Sequence, residues 1–190
     1  KSVSATKKLN EIIRYYVPNV YSVTFDACGG TFSDSGSSVQ VTFNQKIADI
    51  SAEKLPTREG YTFAGFYSER EGRGARYLDS TGAGSVWNLP ADTTLYAYWV
   101  AKTYTVDFDA ELAANAVITV RQGSVSNVYN GTPMSFAFGT ALSVTVTARD
   151  GFKLVSWRNE ALTHTKEKSF SFTVPAENTT LTGVVLPVCT

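Results

Sequence analysis

Three short blocks of this chain occur twice in the same order, and this repetition constrains the fold more than any single segment does. Tyr21-Ser22-Val23-Thr24-Phe25-Asp26-Ala27 returns as Tyr104-Thr105-Val106-Asp107-Phe108-Asp109-Ala110. Gly60-Tyr61-Thr62-Phe63-Ala64-Gly65-Phe66 returns as Gly151-Phe152-Lys153-Leu154-Val155-Ser156-Trp157, and the stretch Asp92 to Tyr98 returns as Asn178 to Val184. A chain built in this way folds as two related modules in tandem. The expected division is 1–19 for an N-terminal helix or linker, 20–100 for the first module and 101–190 for the second.

The repeated blocks carry the signature of strands. Tyr21, Val23 and Phe25 alternate with Ser22, Thr24 and Asp26, a period of two that makes a half-buried strand. Asp26-Ala27-Cys28-Gly29-Gly30 then supplies glycines that tolerate positive φ, so the chain reverses into a second strand near Val39, Val41 and Phe43. Leu95, Ala97 and Trp99 share the buried parity of a last strand and leave Tyr96 and Tyr98 on the other face. Around Tyr61, Phe63, Phe66 and Tyr67 both parities are apolar, which implies either burial on two sides or a bulge near Gly65. The second copy adds Leu142, Val144, Val146 and then Phe170, Phe172, Val174 as further strands. The tract 70–85 is glycine-rich and reads as poorly structured, and Glu69 to Arg76, with mixed charges and glycines, reads as a mobile surface loop. Before all this, Leu9, Ile12, Ile13 and Tyr16 fall at helical spacing, with Ser4 or Thr6 as a cap and Pro18 just past the end: one short amphipathic helix that packs on the next module or belongs to a preceding one.

Composition narrows the function. With 43% hydrophobic residues among 190 the chain builds a real core, and its 17 basic and 17 acidic groups cancel, so it lacks the field that draws proteins to nucleic acid or anionic lipid. No apolar run approaches the roughly 18 to 20 residues of a membrane helix, so direct membrane insertion is not expected. A start at Lys1 fits a mature or trimmed fragment. Cys28 and Cys189 stand at opposite ends, without metal-ligand spacing, and a bond between them requires the first and last strands to meet.

Catalysis needs convergent groups of tuned pKa, and this chain offers few. His164 lies between two strand patterns and reads as a solvated loop histidine. Asp26, Asp107 and Asp109 sit on the outward parity of first strands and read as solvated. No catalytic residue, cofactor or metal site is expected. The sharper functional signal is aromatic. Tyr96 and Tyr98, joined by Tyr67, are the candidate ligand-binding residues, since rings on a sheet face hold sugars or protein partners. Packing alone also places tyrosine in strands. Trp157, at the place of Phe66, reads as core.

With VTFDACGG, LPTREGYTFAGFY and DTTLYAYW, the first copy resembles the internalin-type B repeat, also called the Listeria-Bacteroides repeat. The second, with SVTVTARDGFKLVSW, SFSFTV and NTTLTGVV, is similar to the divergent form of that repeat. The resemblance implies a mostly β, β-grasp-like (α+β) fold and tandem occurrence on secreted or wall-attached bacterial proteins. It also implies a non-catalytic role as stalk or adhesion module. Partners would then be other domains of the same surface protein, with a host surface protein or glycan as the alternative if the aromatics of the first copy form a dedicated binding face. Cys28 stands where the family usually has asparagine, and the second copy lacks the Gly-Gly turn. Glu111-Leu112-Ala113-Ala114-Asn115 there suggests a longer excursion or a helical turn.

Overall fold

The structure, a computed structural model, describes residues 17–34, 38–157 and 168–188; the expected N-terminal helix, His164 and Cys189 lie outside these residues. In the first copy, β1 (Val20–Asp26), β2 (Ser38–Thr42), β3 (Tyr61–Tyr67), β4 (Arg76–Asp79) and β5 (Thr93–Ala101) form one sheet in the order β2-β1-β5-β3-β4. The first and last strands are parallel neighbours, with Phe25 opposite Leu95, and the remaining pairs are antiparallel. Parallel neighbours cannot be joined by a hairpin, so the chain between β1 and β5 crosses over the buried face and covers it. That cover supplies Ile47 and Trp87, fully buried against Val23, Phe25, Phe66 and Leu95.

Backbone chemistry explains the turns. After β1, Cys28 (φ 48°) and Gly29 (φ 85°) both take left-handed backbone, and the Gly30 N–H donates to the Ala27 carbonyl at 3.0 Å. This is the primed turn that matches strand twist. In β3 the apolar residues on both parities resolve as a bulge. Phe63 lies opposite Trp99, but Gly65, two residues on, lies opposite Tyr98. The extra residue brings Phe63 and Phe66 onto one face, where their rings meet edge to face at 5.1 Å. Gly65 has φ 132°, and a Cβ there would stand 2.5 Å from the Leu78 carbonyl oxygen, so glycine alone fits.

The tract 70–85 is better built than its glycines suggested. It contains β4, which buries Tyr77 and Leu78. The following turn is fastened by Asp79, whose Oδ1 accepts from the Thr81 N–H, the Thr81 hydroxyl and the Ala83 N–H. Its glycines permit close approach. A Cβ on Gly82 would stand 2.0 Å from the Ile50 carbonyl oxygen.

The second copy contains β6 (Thr103–Phe108), α1 (Ala110–Asn115), β7 (Ala116–Gln122), β8 (Val125–Val128), β9 (Met134–Ala137), β10 (Ala141–Ala148), β11 (Phe152–Trp157), β12 (Ser169–Thr173), β13 (Thr179–Leu181) and β14 (Gly183–Pro187). β13 pairs parallel with β6 and β9 pairs antiparallel with it, while β14 pairs antiparallel with β11. The order β9, β6, β13 then β14, β11 therefore follows β2, β1, β5, β3 of the first copy. Even the bulge recurs, with Leu154 opposite Val185, Ser156 opposite Val184, and Trp157 opposite Gly183 as Phe66 is opposite Ala97. The helical turn suggested at 111–115 is α1, capped by Asp109.

One part of the second copy has no counterpart in the first. β12-β10-β7-β8 form a separate antiparallel sheet, and its Ile118, Val120, Val144, Val146 and Phe172 share one core with Val106, Phe108, Trp157 and Leu181. Three sheets of four, three and two strands share that core, where the first copy has one sheet and a covering loop. The lost Gly-Gly turn is the reason: Asp109 caps a helix, and the chain runs on into β7 instead of reversing.

Between the copies stands Lys102. Its N–H donates to the Gly60 carbonyl at 2.9 Å, and its own carbonyl accepts from the Phe138 N–H at 2.8 Å. The Phe138 ring lies against Gly60 and meets Tyr61 edge to face at 5.4 Å.

Candidate functional site

Strand parity puts Tyr96 and Tyr98 on the outer face of β5, both half-buried, while Leu95 and Ala97 point into the core. Trp99, expected in the core, is only partly buried, because its indole N–H reaches out to the Ala27 carbonyl at 2.8 Å and pegs the turn after β1. Tyr67 is opposite Tyr96 in the β3–β5 register, and its ring meets that of Tyr98 edge to face at 5.8 Å. The three candidate tyrosines thus form one cluster. Positions matching Tyr96 and Tyr98 in the second copy hold Thr182 and Val184, so no such pair stands there.

The segment read as a mobile loop lies across this cluster. Arg70 stacks its guanidinium on Tyr96, 4.6 Å from the ring centre, and pairs with Asp26 at 2.7 Å. A Cβ on Gly72 would stand 2.8 Å from the Tyr98 ring, which only glycine avoids. Arg70 was not legible as part of the site, because its partners lie 26 and 44 residues away along the chain. The alternating charges of Glu69-Arg70-Glu71 were the available signal.

Beside the tyrosines opens a cleft of about 290 Å3 lined by Cys28, Arg58, Arg70, Glu71, Ala97, Tyr98 and Trp99. Arg58 Nη1 donates to the Cys28 carbonyl at 3.3 Å, and its guanidinium stacks over Tyr61 at 4.0 Å. Arg70 Nη1 approaches the Cys28 sulfur at 3.7 Å. Burial, and after it the Asp26 charge, pushes the Cys28 thiol above its ordinary pKa, so the sulfur is held as a weakly nucleophilic thiol.

The outward aspartates are structural, a correction to their reading as solvated. Asp26 Oδ1 accepts the Cys28 N–H at 2.8 Å. Asp109, at the same place in the second copy, accepts the Leu112 N–H and the Gly183 N–H, each at 2.9 Å, tying α1 to β14. Asp107 accepts the Tyr129 hydroxyl, and this hydrogen bond raises the tyrosine pKa. A larger open cleft of about 700 Å3 lies beside these groups, with Arg149 and Thr180 on its wall. Among the described residues, no three His, Cys, Asp or Glu side chains gather as a metal site, and no helix is long and apolar enough to cross a membrane.

Residues 21–98 match the Listeria-Bacteroides repeat domain and residues 111–184 match the divergent InlB B-repeat domain. Both copies are internalin-type B repeats. Both matched families are repeat domains and neither is an enzyme family. This pair of B repeats is 36% identical to Internalin H of Listeria monocytogenes serovar 1/2a (strain ATCC BAA-679 / EGD-e) over 92 residues, 48% of the chain but only 14% of Internalin H. A structural comparison with the Bacillus anthracis TIE protein covers 87% of this chain and 33% of that one, at 11% identity and a TM-score of 0.34. The B repeats thus mark a repeat region of a surface-associated or secreted bacterial protein.

Proposed function

We propose that this chain is a non-catalytic extracellular spacer, a length of stalk on the bacterial cell surface. On this reading residues 20–100 and 101–190 are its two modules, and other domains of the same surface protein carry the contacts it presents. The sheet order β2-β1-β5-β3-β4 with a parallel central pair supports a β-grasp-like description of the first module, and the second module repeats four of those five places around its added sheet.

The observation that carries the spacer reading is the join. Lys102 is the single residue between β5 and β6, its backbone is hydrogen-bonded into both modules, and Phe138 of the second seats on Gly60 of the first. A linker held on both sides transmits orientation, whereas a flexible one loses it. Aromatic burial agrees: none of the described aromatic side chains is exposed. Residual dipolar couplings measured on the whole chain test this reading. A single alignment tensor fitting both modules is expected; two tensors of different magnitude and axis would remove the spacer role.

A second reading, adhesion through a glycan or host receptor, is supported by the contiguity of Tyr67, Tyr96 and Tyr98, half-buried and not sealed. A glycan and matrix-protein binding screen of the chain beside a Tyr96→Ser, Tyr98→Ser variant tests it. Saturable binding that the variant loses supports adhesion, and silence from both folded proteins removes it.

A further inference from the structure

The cleft beside the tyrosines has an electrostatic imbalance. Of the charged groups around it, Arg70 is neutralised by Asp26 and Glu71 by Arg73. Arg58 is half-buried and has no ion-pair partner among the described residues. One of its five N–H donors reaches the Cys28 carbonyl, and its flat face is taken by Tyr61. Among the described residues its charge is therefore met by a neutral carbonyl and a ring. Arg70, held by Asp26 and the Tyr96 ring, brings a second guanidinium to the same cysteine, 3.7 Å from its sulfur. Tyr98 and Trp99 supply apolar ring surface to the same cleft.

Two guanidinium groups around Cys28 with ring surface beside them match a specific chemistry. A guanidinium fork pairs with a planar or tetrahedral oxyanion through parallel hydrogen bonds, and an aromatic ring packs the C–H face of a sugar. The cleft, at about 290 Å3, sits at the lower limit of small-ligand sites. We propose that this cleft binds one anionic sugar residue, carrying a carboxylate or a sulfate, with Arg58 as the anion contact, Arg70, held by Asp26, on the cleft wall, and Tyr98 and Trp99 against the ring. The proposal rests on the second reading above, that this face of the first module meets saccharide, and it names the charge class and the residues that select it. The backbone here is preset: Cys28 and Gly29 are locked by the Asp26 and Ala27 bonds, and Arg58 packs 3.6 Å from where a Gly29 side chain would begin.

The test is an amide and indole NMR titration of the whole chain with glucuronic acid, glucuronic acid methyl ester and N-acetylglucosamine 6-sulfate. Saturable shifts at Cys28, Gly29, Ala97 and the Trp99 indole are expected with one or both anionic sugars, weakening as salt is raised, and absent with the ester. Whichever acid shifts them more identifies carboxylate or sulfate as the group selected. Arg58→Gln is expected to weaken this binding about tenfold, and Arg58→Lys, which keeps charge but not the fork, by less. Thermal denaturation of each variant confirms that it is folded. No shifts with either anion, or binding unchanged in folded Arg58→Gln, overturns the proposal. Equal binding of the acid and its ester overturns it too, yet leaves the saccharide reading standing if that binding is lost in the Tyr96→Ser, Tyr98→Ser variant.

Discussion

Gly60 and Gly151 occupy the same place in the two copies, each opening the bulged strand with positive φ, 74° and 83°. Around Gly151 a side-chain carbon would meet nothing within 4 Å, but at Gly60 it would stand 2.3 Å from the Phe138 ring. One glycine serves a turn, and the other serves a turn and a joint. The same divergence of use holds at Asp26 and Asp109, one fastening a tight turn and the other a helix and a strand. At these two pairs the place in the strand order is kept in both copies, and what differs is the neighbour each residue meets.

The largest test of that statement is made in the cores. Phe66→Ala and Trp157→Ala remove the side chains that fill equivalent places beside the shared bulge, 0% and 2% exposed, and each is expected to cost about 3–5 kcal/mol by chemical denaturation. A cost below about 1.5 kcal/mol for either would mean that the bulged strand pair is not a common foundation of the two copies. Next comes the glycine pair. Gly151→Ala should cost about 1–2 kcal/mol for left-handed backbone alone, and Gly60→Ala about 1–3 kcal/mol more for the clash with Phe138. Adding Phe138→Ala should abolish that excess; equal costs at the two glycines would break the comparison.

Smaller effects sharpen it. Asp92 Oδ1 accepts from the Ser22 N–H at 2.8 Å, and Asn178 Oδ1 accepts from the Thr105 N–H at 2.9 Å, the same bond in each copy. Alanine at either site should cost about 1 kcal/mol in thermal unfolding. Cys28→Asn should stabilise the first copy by about 0.5–1 kcal/mol, because asparagine tolerates the left-handed conformation that cysteine takes there at φ 48°. The least effect is on acid response. Hydrogen bonds from Thr81, and then from Ala83, hold the Asp79 carboxyl below its ordinary pKa. With its folded pKa depressed, its stabilisation is present above the unfolded carboxylate range, near pH 3.9, and is lost as pH falls through the folded value. Asp79→Asn should therefore flatten the fall in Tm below pH 4, and an unaltered acid limb would dismiss that role.

Alternation and repetition made the sheet residues of both copies legible. Val23, Phe25, Leu95, Leu142, Val144 and Trp157 are buried as their patterns indicated. A period of two states which face is covered, not which strand lies alongside, so the strands at 141–148 and 169–173 were readable while their union in an added sheet was not. The tyrosine cluster followed from parity. Its arginines did not, because the contacts of Arg58 and Arg70 with the turn at Cys28 span 30 and 42 residues and exist only once β1 and β5 are neighbours. Nor did glycine content reveal order at 70–85, since the same residue gives slack in one context and closeness in another.

The parallel pairing of first and last strands has a mechanical consequence. Tension applied along the chain pulls β1 by its beginning and β5 by its end, and β6 and β13 in the same sense, so the two strands of each pair are drawn past one another. The hydrogen bonds between them then share the load and must yield together, unlike a hairpin pulled open at its mouth, which surrenders its bonds one at a time. With Lys102 passing the pull directly from β5 to β6, the two parallel pairs stand as shear clamps in series.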